Sequence, residues 1–143
     1  MCGIAGIVGA GLSPGERDAR LARMQARLRH RGPDGEGRLV DAAGGAGLAH
    51  TRMAILDLTE AGAQPMQTAD ERYAIVFNGE IYNFRALRAE LLAAGAALRS
   101  QSDTEVILEL YRREGAACVE RLVGMFAVAI WDRRGGGAVF ARV

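Results

Sequence analysis

The sequence predicts a single domain in which β-strands and α-helices are mixed. Half of its 143 residues are apolar, which is enough for one hydrophobic core in a chain of this length. Short apolar runs and alternating segments indicate strands, and capping signatures between them indicate helix starts. The net charge is +1, and all eighteen basic residues are arginines dispersed along the chain. This composition gives no indication of nucleic-acid binding.

Cysteine usage and hydropathy favour the cytoplasm. The two cysteines form no C-x-x-C pair, and the N-terminus lacks the basic segment of a signal peptide. We therefore expect free thiols in a reducing compartment and no zinc site. No apolar run approaches the length of a membrane span.

The first nine residues place a cysteine directly after the initiator methionine. Removal of Met1 would give Cys2 both a thiol and a free α-amine, and an N-terminal amine can act as the base for its own nucleophile. With an ordinary pKa near 8, that amine is partly neutral at about pH 7. The alternative is a buried strand with an incidental cysteine, although Gly3, Gly6 and Gly9 indicate places where another group approaches the backbone closely.

A helix is predicted to begin near residue 13. Ser13 is a suitable N-cap, proline follows in the first turn, and Glu16 completes a capping box. Leu21, Met24 and Leu28 then recur on one face, as in an amphipathic helix packed on a sheet.

The glycine- and proline-rich residues 30–37 predict a loop after this helix. A turn of this composition needs no function, yet an arginine and a histidine beside a sharp bend could also help to shape a site. The roles of His30 and Arg31 therefore stay open.

Alternation over residues 47–53 predicts a strand with His50 and Arg52 on one face. An arginine there offers a planar fork that matches a carboxylate, whereas a lone strand histidine is more often structural, so the role of His50 stays open. We expect residues 55–58 to continue as apolar structure and residues 62–65 to form a loop.

The apolar run at residues 73–77 predicts a strand covered on both faces, which ends in Asn78, Gly79 and Glu80. An amide side chain beside a glycine N–H could donate to an oxyanion, because glycine lets the backbone approach the reacting atom. Asn-Gly is also the commonest hairpin turn. Asn83 then caps a predicted helix that closes at Gly95, so we expect the chain to pass from strand to helix.

A second capping box begins at Ser102 and ends at Glu105, and it predicts another helix. Asp103 in its first turn leans towards the packed face, where its carboxylate could hold a substrate ammonium. The alternative is compensation of the helix dipole, which favours any acidic residue there by about 0.3–1 kcal/mol. Cys118 is expected to be a small buried core residue.

The C-terminal part predicts a strand at residues 125–132, a turn at 133–137 and a pairing strand from residue 138. The sequence stops while this last strand is still running. We therefore expect a domain that is incomplete at its C-terminal end, with an unfinished core and an unpaired edge.

Five segments of the chain together resemble one family. They are Met1-Cys2-Gly3-Ile4, Arg31-Gly32-Pro33-Asp34-Gly35, Ala49-His50-Thr51-Arg52, Phe77-Asn78-Gly79-Glu80-Ile81-Tyr82-Asn83 and Ser102-Asp103-Thr104-Glu105-Val106-Ile107. In this order they are similar to the class II glutamine amidotransferase domain of the glutamine-hydrolysing asparagine synthetases. The resemblance covers essentially the whole chain.

This resemblance implies an α+β fold, the four-layer α/β/β/α arrangement of N-terminal nucleophile hydrolases, truncated at its C-terminal end. It implies a type 2 glutamine amidotransferase domain over residues 2–143 and a synthetase domain that is absent from this sequence. Val143 departs from the pattern, since relatives usually have aspartate there.

The resemblance also implies a role for each matching site residue. Cys2 would be the nucleophile, with its own α-amine as base, and Asn78 and Gly79 would donate to the oxyanion. Thiolate attack on the glutamine amide would give a γ-glutamyl thioester, ammonia and then glutamate. The implied glutamine-binding residues are Arg52 for the α-carboxylate, Glu80 and Asp103 for the α-ammonium, and Met53, Ala54, Ile55, Leu56, Asn78 and Gly79 for the rest of the pocket.

No cofactor or metal is implied for this domain, whereas ATP and magnesium are expected in the synthetase domain, which would amidate aspartate. Glutamine and that domain are the implied partners, a homodimer is one arrangement the resemblance allows, and neither nucleic acid nor membrane is expected. Another acceptor acid, such as a peptide or secondary metabolite, and a non-catalytic scaffold remain alternatives.

Overall fold

Two antiparallel sheets form the centre of the structure. The computed structural model describes residues 1–9, 11–43 and 45–143. The first sheet has the strand order β1-β3-β2 and contains β1 (Gly3–Val8), β2 (Gly35–Val40) and β3 (Ala46–Arg52). The second sheet has the order β4-β5-β6-β7 and contains β4 (Met66–Gln67), β5 (Tyr73–Ile81), β6 (Gly124–Asp132) and β7 (Gly137–Arg142). The helices are α1 (Pro14–Leu28), α2 (Phe84–Ala93) and α3 (Asp103–Glu114), with short 3₁₀ segments at Arg29–Arg31, Glu60–Gly62 and Gly115–Arg121.

Alternation along the strands divides the core into layers. Leu48, Val76 and Trp131 face one another between the two sheets, while Ile75 on the opposite face of β5 packs with residues of α2 and α3 such as Ile107. Helix α1 covers the other side of the first sheet, where the position of Leu21 leaves no room for a side chain at residue 47. The layer order is therefore α/β/β/α, as expected.

The buried face of α1 differs from the predicted one. Its capping box forms as predicted, but the buried row is Arg17, Leu21 and Gln25, and Met24 is 40% exposed. Buried Gln25 is stable there because its side chain is hydrogen-bonded: Nε2 donates to the carbonyl of Gly37 in β2 at 3.0 Å and to that of His50 in β3 at 2.8 Å. The prediction that Met24 belongs to the packed face was wrong.

Strand β2 was not predicted, since the sequence indicated a loop through residue 37. Residue 37 is a glycine because of close packing and not because of a turn. A Cβ at this position would lie 2.0 Å from the carbonyl oxygen of Gln64. The expected apolar structure at residues 55–58 was also wrong. The backbone there is irregular, and Ile55 and Leu58 are 70% and 76% exposed.

Two predicted caps have different partners. Asn83 precedes α2, but its side chain accepts from the Val123 amide and donates to the Arg121 carbonyl instead of capping the helix. Ser102 caps α3 as expected, whereas Glu105 accepts from the Ser100 amide rather than closing a capping box. Both side chains therefore join the helix start to a neighbouring loop.

The remaining predicted elements agree with the structure. Strand β5 continues four residues beyond Phe77 and leads into α2 rather than into a hairpin. Strands β6 and β7 pair antiparallel, Gly95 ends α2 with a positive φ, and Cys118 is fully buried. Within the described residues, no helix combines the length and hydropathy that a bilayer span requires.

Candidate active site

A cavity of about 180 Å³ opens where the end of the first sheet meets β5 and the start of α3. All of the residues predicted for the site line it: Cys2, Arg52, Met53, Ala54, Ile55, Leu56, Asn78, Gly79, Glu80 and Asp103. His50, Gln64 and Thr104 also contribute to the wall. Residues far apart in sequence thus meet at one concave surface, the usual form of a small-molecule site.

Cys2 is held at the cavity wall by the neighbouring strand. It immediately precedes β1, whose Gly3 pairs with Thr51 of β3. The Met53 amide donates to Cys2 Sγ at 3.3 Å, and the same sulfur lies 3.6 Å from the Met53 carbonyl oxygen. A Cβ on Gly3 would lie 2.5 Å from Thr51 Oγ1, so only glycine lets the strands approach this closely after Cys2.

The turn containing Arg31 and Asp34 secures both sides of this arrangement. Arg31 Nε donates to the Cys2 carbonyl at 3.0 Å, and Asp34 Oδ2 accepts from the Ala54 amide at 2.9 Å. Gly32 packs against β3 so tightly that a Cβ would lie 2.4 Å from the Thr51 carbonyl. The role of Arg31, which stayed open in the sequence, is direct support of Cys2.

Met1 is joined by a peptide bond to the Cys2 nitrogen, which would otherwise be a free amine. Its side chain is largely exposed, and its terminal amine donates to Met53 Sδ at 2.9 Å. While Met1 is attached, the Cys2 nitrogen is a peptide nitrogen and cannot act as a base. Removal of Met1 would place a free amine beside the thiol at the cavity wall.

The Gly79 amide points into the cavity. Along β5, alternate residues direct their backbone N–H to the same side. The Phe77 and Ile81 amides donate away from β6, to Gln64 Oε1 and Asp103 Oδ2, whereas Tyr82 donates towards the opposite side, to the Val123 carbonyl. Gly79 lies midway between Phe77 and Ile81 on β5. Its N–H therefore points to the same side as the Phe77 and Ile81 amides, which is the side of the cavity.

Packing behind β5 fixes Gly79 in place. Its φ is +154°, and a Cβ would lie 2.3 Å from the Met125 carbonyl oxygen and 2.5 Å from Phe126 Cα. The adjacent Asn78 lines the same cavity, and its Oδ1 is buried without a hydrogen-bond partner among the described residues. A buried acceptor of this kind is costly unless a ligand or water completes it.

Arg52 provides positive charge at the cavity wall. Its guanidinium donates to the backbone carbonyl of Asp57 and lies against Gly62, where a Cβ would be 2.7 Å from Nη2. Asp57 in turn accepts from Thr59 Oγ1 at 2.6 Å and from the Gln101 amide at 2.8 Å. The hydroxyl of Thr59, together with the Gln101 amide, keeps the pKa of Asp57 below its usual value. The loop after β3 is thereby tied to the start of α3.

Two carboxylates contribute negative charge to the same cavity. Asp103 is 5% exposed, and its Oδ2 accepts from the Ile81 amide at 3.1 Å. Burial raises the pKa of Asp103 and the nearby Glu80 adds to this rise, while the amides of Ile81 and Thr104 oppose it. A cation bound between these carboxylates would stabilise the ionised form of Asp103.

His50 is neutral in this environment. Its side chain is 1% exposed, and burial lowers its pKa from 6.5 to about 4, opposed by the backbone of Phe77. An imidazole with this pKa carries no charge near neutral pH and cannot act there as a general acid. Among the described residues, no group of three or more His, Cys, Asp or Glu side chains could hold a metal ion.

A solved amidotransferase has the same fold. The glutamine phosphoribosylpyrophosphate amidotransferase from Bacillus subtilis, in complex with ADP and GMP, superimposes with a TM-score of 0.70 at 21% identity, covering 91% of this chain and 35% of its own. The α/β/β/α layers and this likeness define the N-terminal nucleophile fold. The chain belongs to the glutamine amidotransferase domain family, which matches it over residues 1–143.

Curated relatives are glutamine-hydrolysing asparagine synthetases. Asparagine synthetase 1 of Bacillus subtilis is 39% identical over 93% of this chain, and asparagine synthetase 3 of Arabidopsis thaliana is 40% identical over 99% of it. Asparagine synthetase B of Escherichia coli is 39% identical over 92%. The chain spans only 21%, 24% and 23% of these proteins, so it corresponds to one part of each.

The buried histidine predicts a specific pH dependence of stability. Because the folded-state pKa of His50 is about 4 and its usual value is 6.5, the unfolded chain binds the proton first as the pH falls. Stability is therefore lost from about pH 6.5 down to pH 4, by roughly 2–3 kcal/mol. His50→Gln should remove this acid-dependent loss, so in urea unfolding between pH 7 and pH 4 the parent should lose roughly 2–3 kcal/mol more stability than the variant. His30→Gln, at an exposed position, should leave the parent curve unchanged, and parallel curves for parent and His50→Gln would contradict the assignment.

Proposed function

We propose that this domain hydrolyses the side-chain amide of glutamine with Cys2 as the nucleophile. The observation that carries the proposal is the convergence of the Cys2 thiol, the inward-facing Gly79 amide and the charged Arg52 and Asp103 side chains on one cavity. The first two are the groups that acyl transfer requires, a nucleophile and an oxyanion donor. The charged pair suits a free amino acid.

The chemistry needs the free amine of Cys2. We propose that Met1 is removed, and that the amine accepts the thiol proton as the sulfur attacks the amide carbon. The oxyanion would accept hydrogen bonds from the Gly79 N–H and the Asn78 side-chain amide. The protonated amine then delivers its proton to the departing nitrogen, which leaves as ammonia. Water, deprotonated by the same amine, attacks the thioester and releases glutamate.

Charge placement supports an α-amino acid as the substrate. A bidentate guanidinium of Arg52 matches the planar α-carboxylate, and Glu80 and Asp103 supply the negative charge that an α-ammonium requires. The backbone of residues 53–56 would enclose the side chain. The Met53 amide already donates to the sulfur, which holds the Cys2 side chain at the cavity wall.

The names of the relatives suggest where the ammonia goes. Because this chain matches about a quarter of each asparagine synthetase, we infer that residues 2–143 form the glutaminase part of a longer, cytoplasmic enzyme. A synthetase domain, with ATP and magnesium, would use the ammonia to convert aspartate into asparagine. In this proposal the released ammonia is consumed within the same protein.

The first test removes the nucleophile. In the full-length protein, Cys2→Ala should abolish glutamate release from glutamine, because no thioester can form, while synthesis supported by added ammonium salts continues. Cys118→Ala is the matched control, since that thiol lies in the core away from the cavity, and it should retain glutaminase turnover. Glutamate release by Cys2→Ala at the parent rate would show that another group attacks the amide.

The second test concerns substrate recognition. Arg52→Lys should raise the KM for glutamine, because a lysine ammonium cannot reproduce a bidentate fork and a charge-assisted hydrogen bond is worth about 1.5–3 kcal/mol, or roughly ten- to a hundredfold. Initial rates of glutamate formation over a range of glutamine concentrations measure this. Arg23→Lys, on the exposed face of α1, should leave KM unchanged. An unaltered KM in Arg52→Lys would remove the carboxylate-binding role.

A further inference from the structure

The edge of β5 that faces the cavity has almost no neighbouring strand. Strand β4 is two residues long and pairs only with Ala74 and Ile75 of β5. Beyond this point the amides of Phe77, Gly79 and Ile81 all point towards the cavity side. An unpaired strand edge is mobile and costly when buried, so these amides need other acceptors.

Two side chains take the place of the missing strand. Gln64 Oε1 accepts from the Phe77 amide at 2.6 Å, and Asp103 Oδ2 accepts from the Ile81 amide at 3.1 Å. The two donating amides are four residues apart along β5, with Gly79 midway between them. They hold the backbone on both sides of the amide that faces the nucleophile.

Gln64 is itself rigidly held. Its side chain is mostly buried, and its Nε2 donates at 3.1 Å to Thr104 Oγ1 in the first turn of α3. Its backbone carbonyl packs against Gly37 of β2, where not even a methyl group would fit. Gln64 therefore links the first sheet, α3 and β5 at one point, immediately before Asn78.

We propose that Gln64 is a positioning residue for the oxyanion-binding strand, an inference that rests on the proposed glutaminase function. By accepting from Phe77, it fixes the direction of the next two residues, so that the Asn78 side chain and the Gly79 amide meet the oxyanion. It does not touch the glutamine α-groups, which lie with Arg52, Glu80 and Asp103. Its loss should therefore lower kcat and leave KM nearly unchanged.

The experiment compares side chains of different reach in the full-length protein. Gln64→Asn keeps the amide but is one methylene too short to reach the Phe77 N–H, and a displacement of about 1 Å in a reacting group can cost a hundredfold, so we expect a ten- to hundredfold lower kcat for glutamate release. Gln64→Glu keeps both length and acceptor, and the Thr104 hydroxyl can donate to its second oxygen, so most of kcat should return. Gln67→Asn is the matched control, because no hydrogen bond of the Gln67 side chain is seen in the described residues.

Hydrogen exchange supplies a readout that is independent of catalysis. In Gln64→Asn, the Phe77 amide should exchange at least about tenfold faster than in the parent, while amides of α1 keep their protection. If Gln64→Asn does not fold, Thr104→Val removes only the anchor of Nε2 and should lower kcat about three- to tenfold.

Two results would overturn the inference. One is a parent-like kcat in the folded Gln64→Asn variant, or in Thr104→Val when the former does not fold. The other is unchanged Phe77 exchange. Both leave the glutaminase proposal standing, because that proposal fails only if Cys2→Ala still hydrolyses glutamine. If the parent-like kcat were accompanied by a raised KM, Gln64 would be a substrate contact instead.

Discussion

The central constraint on this structure is that Cys2, which we propose as the nucleophile, is the second residue of the sequence. Chain termini are usually the least ordered part of a domain, yet a nucleophile must be placed within a fraction of an ångström. Three contacts meet this demand: β1 pairs with β3 directly after Cys2, Arg31 binds the Cys2 carbonyl, and the Met53 amide binds the sulfur. The motif around Arg31 is thus explained by the need to immobilise residue 2.

Close backbone approach is the second requirement, and glycine provides it at each contact. Gly3 and Gly32 let β1 and the Arg31 turn lie against Thr51, and Gly79 and Gly124 let β5 and β6 pair without obstruction behind the cavity. Any side chain at these positions would push apart elements that carry Cys2 or the proposed oxyanion donors. The electrostatics then follow from the positions of the elements, with Arg52 at the end of β3 and Asp103 at the start of α3.

Sequence patterns predicted much of this arrangement because local rules govern it. Capping at Ser13, alternation in β3 and the strand-to-helix passage after Asn78 depend on neighbouring residues, and all were recovered. Strand β2 and the polar face of α1 were missed because their causes are distant: the Gln64 carbonyl requires Gly37, and the carbonyls of Gly37 and His50 accept from Gln25. Spacing alone likewise gave no indication of Gln64, whose partners Phe77 and Thr104 lie 13 and 40 residues away. The site residues were named from a resemblance, and the structure adds their meeting in one cavity.

Covalent capture would locate the nucleophile most directly. The full-length protein would be incubated with a glutamine analogue that carries an electrophilic carbon in place of the side-chain amide, and the label would be mapped by peptide mass spectrometry. One label is expected, on the sulfur of Cys2, in an N-terminal peptide that lacks Met1, with labelling slowed by glutamine. Label on Cys118, or on Cys2 in chains that retain Met1, would contradict a mechanism in which the terminal amine activates its own thiol.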